Sequence, residues 1–269
     1  MMTTLESRYA DNYERMACDD LAQAIVPAYY TLAQAHKLVG YCGDLKGKRV
    51  LDIGAGRGVF LSLIPYARRV AVDISPAYVA YLRSQNIIAI QANAEDLPFE
   101  NEFDVVVMVD ILEHVLNPDR AIASAWRALR PGGRLLVRVP YLEDISVYKP
   151  ENGCKYEFAH LRSFDAVSLR SLLSPPFKVT ATHLDGFVPY QVRTVSSAQF
   201  LKLQAWQKSK AQPPGMFDVW WHMIPALPYI ILHVAFAGAI ARLPNWLGRR
   251  ICHPLEICVV GVKVCGGNR

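Results

Sequence analysis

The chain has 269 residues and 52% of them are hydrophobic, which suits one large domain, or one domain with an appendage, around a sizeable core. Its net charge of +5 allows an anionic surface or substrate, but there is no Lys/Arg block or basic–aromatic repeat, which excludes nucleic acid as the favoured partner. The six cysteines make no Cys-x-x-Cys and no Cys/His zinc spacing, and the first residues hold no apolar signal region; the expectation is a cytoplasmic protein with reduced thiols and no metal site.

Residues 1–45 read as a helical segment ahead of a sheet. Asp19 or Asp20 is placed to cap a helix running toward Val39, with Gly40 as its stop and Pro27 as a kink or true start. Tyr9 and Tyr13 fall on one helix face. The stretch 49–58, Arg-Val-Leu-Asp-Ile-Gly-Ala-Gly-Arg-Gly, organises the rest of the chain. Val50, Leu51 and Ile53 form a short apolar run suited to a buried parallel strand. Gly54, Gly56 and Gly58 come next at alternate positions, where a side chain would hold a bound ligand off the backbone. Residues 59–64 then read as the start of a helix, completing a first βα unit of a nucleotide-binding fold. A dinucleotide fingerprint needs its third glycine at position 59, which is Val59, and no Gly-Lys-Ser/Thr is present for a P-loop.

Residues 69–75 read as a second strand ending in Asp73. A carboxylate there either accepts from both hydroxyls of a ribose or is a solvated strand end. Ser75-Pro76 opens a helix to Gln85. Residues 87–90 are a short third strand, continued by the polar loop Gln91-Ala-Asn-Ala-Glu-Asp. The unbroken apolar run 105–109 is a central strand, covered on both faces, with Asp110 at its end. Leu112-Glu-His-Val comes next; Asn117-Pro118 starts a helix ending near Arg130, and Pro131-Gly132-Gly133 leads into a fifth strand, 134–139. An irregular loop, 144–159, precedes a helix over 165–173 and strands over 177–186 and 255–264.

The acidic-x-Gly-x-Gly-x-Gly pattern at 52–58, with Leu112-Glu-His-Val and Pro131-Gly-Gly-Arg-Leu-Leu-Val, resembles the class I S-adenosylmethionine (SAM)-dependent methyltransferases of the UbiE/type 11-like group. The resemblance implies an α/β fold, a doubly wound seven-stranded, mostly parallel sheet whose last strand is antiparallel between the fifth and sixth. It divides the chain into a helical segment, 1–45, a SAM-binding domain, 46–188 with 255–265, and an insertion, 189–254. It also implies SAM as cofactor, held by Asp52, Gly54, Ala55, Gly56, Gly58, Asp73, Ile74, Asn93, Ala94, Glu95 and Asp110. Asn93 would accept from the adenine amino group, unless its oxygen closes its own loop turn, and Ala94 and Glu95 would supply backbone contacts. Tyr9 and Tyr13 would close over the cofactor, although two aromatics packing on a helix face is the preferred reading.

Methyl transfer from a sulfonium needs mainly a positioned acceptor, and for an alcohol a base. His114 and His160 are the candidates. His114 is also read as architectural, and His160 as a helix cap or a partner of Glu157; Asp144 and Tyr156 are weaker candidates. The acceptor is expected to be an oxygen of a lipid, lipid-linked sugar or glycan, with a small polar metabolite second. A nicotinamide dehydrogenase and a non-catalytic membrane-attached module are the rivals. Residues 219–241 contain no Asp, Glu, Lys or Arg, but Pro225 and Pro228 interrupt them. Flanked by Trp220, Trp221, Tyr229 and Trp246 and trailed by Arg242, Arg249 and Arg250, they are expected to dock on the cytoplasmic face of a membrane. The alternative is a buried hairpin that caps the sheet or forms a homodimer.

Overall fold

The computed structural model describes residues 4–22, 28–185, 188–189 and 252–264. Two helices, α1 (Thr4–Ala22) and α2 (Ala28–Cys42), precede the sheet. Its strands are β1 (Arg49–Ile53), β2 (Arg68–Asp73), β3 (Ile88–Gln91), β4 (Phe103–Val109), β5 (Leu129–Pro140), β6 (Phe177–Asp185) and β9 (Glu256–Lys263). Between them run α3 (Val59–Ser62), α4 (Pro76–Ser84), α5 (Pro118–Ala128) and α6 (Ala166–Leu173). The order across the sheet is β3-β2-β1-β4-β5-β9-β6, parallel except where β9 pairs antiparallel with β5 and β6. This is the doubly wound seven-stranded sheet expected from the sequence.

The apolar runs explain the two layers. Leu51 and Ile53 of β1 join Val106 and Met108 of β4 in a core against α5 and α6. Val50, Val105 and Val107 face the other way, against Leu38 of α2, Phe60 of α3 and Val79 and Leu82 of α4. Each fully buried aliphatic side chain contributes about 1.5–3 kcal/mol. Local signals start the helices. Ser75 and Asn117 accept from the backbone N–H groups of Tyr78 and Arg120 ahead of Pro76 and Pro118. Asp165 and Ser168 form a reciprocal capping box on α6.

Three sequence expectations shift. Asp19 and Asp20 lie inside α1, and α2 runs through Gly40 to Cys42. Asp20 instead accepts from Arg57 Nε at 2.7 Å and Tyr78 Oη at 2.8 Å, a tertiary pairing that outweighs a cap. Finally, α3 is only four residues, Val59–Ser62. Pro65 disfavours the helical region for the residue before it, and the chain turns toward β2.

The sheet runs β6 parallel to β5, because both pair antiparallel with β9. The C-terminal end of β6 therefore lies on the same rim as the glycine turn after β1. Just beyond it, β7 (Val188–Pro189) pairs antiparallel with β8 (Cys252–His253). The expected insertion, 189–254, falls almost wholly outside the described residues. Among the described residues no helix is long and apolar enough to cross a membrane.

Candidate cofactor and acceptor site

The glycines serve different ends. A Cβ on Gly54 would stand 2.7 Å from Ile111 Cδ1, and one on Gly58 would stand 2.5 Å from Leu82 Cδ2. Those two glycines let the turn pack on its own core. Only at Gly56, with φ +52, is the space open, its nearest neighbour being Tyr78 Cζ at 4.0 Å. Of the three, Gly56 fits the sequence reading of a residue kept bare for a ligand.

Asp73 ends β2 and is buried. Its Oδ2 accepts from Gly56 N at 2.9 Å and its Oδ1 from Ser75 N at 3.0 Å. Burial raises its pKa, while the same backbone donors pull the other way. A carboxylate offers about four lone-pair sites, more than these backbone donors use, which leaves acceptor capacity for a ribose hydroxyl. A cavity of about 210 Å³ opens here, walled by Gly54, Gly56, Asp73, Ile74, Asn93, Ala94, Asp110 and His114 among others. The apolar Val72 and Ile111 share that wall with these polar groups, a combination that fits an adenosyl group.

Four expected contacts lie off this wall. Asp52 is buried in β1, where burial and the neighbouring Asp73 push its pKa up to about 8. Strand alternation places it on the face of Val50, toward α2, and not in the cavity. Ala55 and Gly58 form the inner side of the turn, with Gly58 N donating to Ala55 O at 2.7 Å. Glu95 is buried, and its Oε1 accepts from Asn117 N at 2.9 Å, bracing the start of α5. Asn93 does line the cavity, but its Oδ1 also accepts from Glu95 N at 3.0 Å, the local turn held open as its alternative. Asp110, at φ +51, lines the cavity while its carboxylate pairs with Arg138.

The sequence reading missed how α1 covers the site. Tyr9 and Tyr13 pack at 4.7 Å between ring centroids and also line the cavity. Met16 and Tyr78 complete that wall. The helix is tied down by Glu14, which accepts from Ser75 Oγ and Ala77 N, and by Asp20 through Arg57 and Tyr78. No local pattern marks these partners, since each is set by the docking of α1 onto α4.

His114, on the cavity wall, packs against His160 behind it, with centroids 4.5 Å apart and rings nearly perpendicular, at 86°. His114 Nδ1 bonds Ala159 O, and desolvation, then His160, lowers its pKa to about 4; the ring is neutral with its Nε2 lone pair free to accept. His160 Nδ1 bonds Glu143, not the expected Glu157, which pairs with Arg8. Nor does His160 cap α6, a role Asp165 takes. Tyr148 stacks on the His160 ring at 3.9 Å. Asp144 caps the short 3₁₀ turn next to it, and Tyr156 Oη donates to Asp19. Arg162 fixes the turn after β4 by donating to the carbonyls of Leu112, Val115 and Leu116.

Residues 51–137 match a family described as a methyltransferase domain. The chain is 36% identical over 123 residues to the ubiquinone/menaquinone biosynthesis C-methyltransferase UbiE of Psychromonas ingrahamii, 39% of this chain and 49% of that protein. It thus spans about half the length of the curated relatives it matches. In fold it is similar to a SAM-dependent methyltransferase of Thermotoga maritima, with TM-score 0.60 and 17% identity, covering 95% of this chain and 99% of the other. It is also similar to phosphoethanolamine N-methyltransferase 2 of Haemonchus contortus in complex with SAM, with TM-score 0.54 and 16% identity over 87% and 53% of the two chains.

Proposed function

We propose that this chain, built on a class I SAM-dependent methyltransferase domain, moves the methyl group of SAM to an acceptor held beside His114 and His160. The observation that carries this is the one cavity that Gly56, Asp73, Asn93 and His114 wall together. The first three fit a nucleoside. The last fits a site where a positioned acceptor meets the sulfonium methyl. Positioning is the main task, because the sulfonium already leaves readily. Here α1 supplies it, with Tyr9 and Tyr13 excluding water from one side.

The finer reading is transfer to an oxygen of a lipid or lipid-linked glycan by an enzyme docked on the cytoplasmic face of a membrane. Two observations support it. Residues 219–241 are free of charged side chains and are flanked by Trp and Arg. The described ends of the intervening stretch, β7 and β8, pair just past the end of β6, on the rim that holds the cofactor cavity. A second reading is transfer to a ring carbon of a quinone-type acceptor, favoured by the activity named for the UbiE relative.

The test is incubation of the full-length protein with methyl-deuterated SAM and, separately, the lipid and the polar fractions of a cell extract, with mass spectrometry as the readout. A labelled methyl on an oxygen in the lipid fraction supports the first reading. Label on a ring carbon moves the assignment to the second. No transfer into either fraction by a protein that binds SAM would overturn the enzymatic proposal.

A further inference from the structure

One buried carboxylate is unaccounted for by SAM binding. Glu113 is 1% exposed, and neither Oε1 nor Oε2 has a hydrogen-bond partner among the described residues. A buried carboxylate with no donor is expensive and needs a reason. His114 Nε2 stands 3.9 Å from Oε1, beyond hydrogen-bond range.

The two imidazoles beside it are each held by the other nitrogen. Ala159 O fixes His114 at Nδ1, and the Glu143 carboxylate fixes His160 at Nδ1. In both rings Nε2 is the nitrogen left for a further partner. One candidate ligand atom from each of Glu113, His114 and His160 lies within 4.8 Å of the others. Three ligands with bonds of about 2.0–2.2 Å to one ion stand roughly 3–3.6 Å from one another, so the side chains must draw in by about 1 Å to close on it. An imidazole whose second nitrogen bonds a carboxylate or a backbone carbonyl is the arrangement that orients metal-binding histidines.

We propose that Glu113, His114 and His160 form a binding site for a divalent cation of the Mn²⁺, Fe²⁺ or Zn²⁺ type, oriented by Glu143 and Ala159 and bordering the cavity at His114. Two imidazoles and one carboxylate favour these ions over Ca²⁺ or Mg²⁺, which prefer all-oxygen shells. Three protein ligands leave positions open for an acceptor oxygen, which the cation would hold and whose proton it would make easier to lose. That use of the site rests on the methyltransferase reading, whereas the binding of the cation does not. The imidazoles then act as ligands, in place of the free base expected from the sequence, and the expectation of no metal is replaced.

The test is titration of chelator-stripped full-length protein with Mn²⁺, read by electron paramagnetic resonance and repeated with Zn²⁺ by calorimetry. SAM binding is measured in parallel on the same samples. One Mn²⁺ per chain is expected. Glu113→Gln and His160→Ala should each weaken it at least tenfold, and Glu143→Gln by about 10–100-fold through loss of ring orientation. SAM affinity should be unchanged in Glu113→Gln. Bound Mn²⁺ should broaden the methyl proton signal of bound SAM. Cation binding without SAM binding would keep this site and remove the methyltransferase reading. If folded wild-type protein binds neither ion at millimolar concentration, or binds it equally well in all three variants, the site does not exist.

Discussion

The carboxylate of Asp73, at the end of β2, accepts a hydrogen bond from the backbone N–H of Gly56 at 2.9 Å. The acid expected to bind ribose thus also shapes the turn that must approach the cofactor. Asp73→Ala should therefore fail twice. Losing charge-assisted bonding to the ribose should weaken SAM binding tenfold or more. Leaving the N–H groups of Gly56 and Ser75 without their acceptor should lower stability by about 1–3 kcal/mol. Calorimetry and denaturant unfolding separate the two effects. Wild-type stability with weakened SAM binding would mean that the turn holds itself.

The three glycines should separate by phenotype. Gly54→Ala and Gly58→Ala place a methyl group against Ile111 and Leu82 and should unfold at clearly lower temperature. Gly56→Ala meets no close neighbour and should lose only the roughly 1–2 kcal/mol of a left-handed backbone while losing SAM affinity. Melting curves with and without SAM read both. Equal destabilisation in all three would contradict the distinction.

Asp52 should make the fold sensitive to alkali. Its pKa rises from an ordinary 3.8 to about 8, because burial, and then Asp73, disfavours its charge. The folded state therefore holds a proton that the unfolded chain releases. That contribution is complete below about pH 4 and is lost as pH rises through about 8. Asp52→Asn removes the dependence. The variant should melt higher than wild type by roughly 5 °C or more at pH 9, with the gap narrowing toward pH 5. A constant gap across that range would show that Asp52 is ionised in the fold throughout.

The stretch between β7 and β8 carries the membrane proposal. Full-length protein should float with anionic liposomes, and a version with 216–250 replaced by a short Gly/Ser linker should stay in solution and still bind SAM. Flotation of both versions, or of neither, would detach the lipid acceptor from this stretch.

The features legible in the sequence were contiguous ones. The glycine turn and the caps Ser75, Asn117 and Asp165 each act within a few residues of their own position, and Asp73 stands at a strand end that its apolar run marks. Asp52 misled because its spacing from Gly54 resembles a motif, while the alternation of β1 turns it into the core beside Val50. Glu143, Glu14 and Asp20 were invisible for another reason. Their partners His160, Ser75 and Arg57 are brought to them by a loop crossing and by the docking of α1, and neither leaves a period in the sequence. Glu113 was read only as part of a string. That its carboxyl oxygens find no side-chain partner among the described residues is a property of the packed interior.

The central claim is that SAM occupies the cavity between Gly56, Asp73 and His114. Its most direct test is calorimetry of the full-length protein with SAM and, separately, with NADH. The account predicts one SAM per chain, no heat with NADH, and no SAM binding in Gly56→Val, whose side chain would fill the open space above the turn. A folded protein that takes NADH, or that gives no heat with SAM, would contradict it.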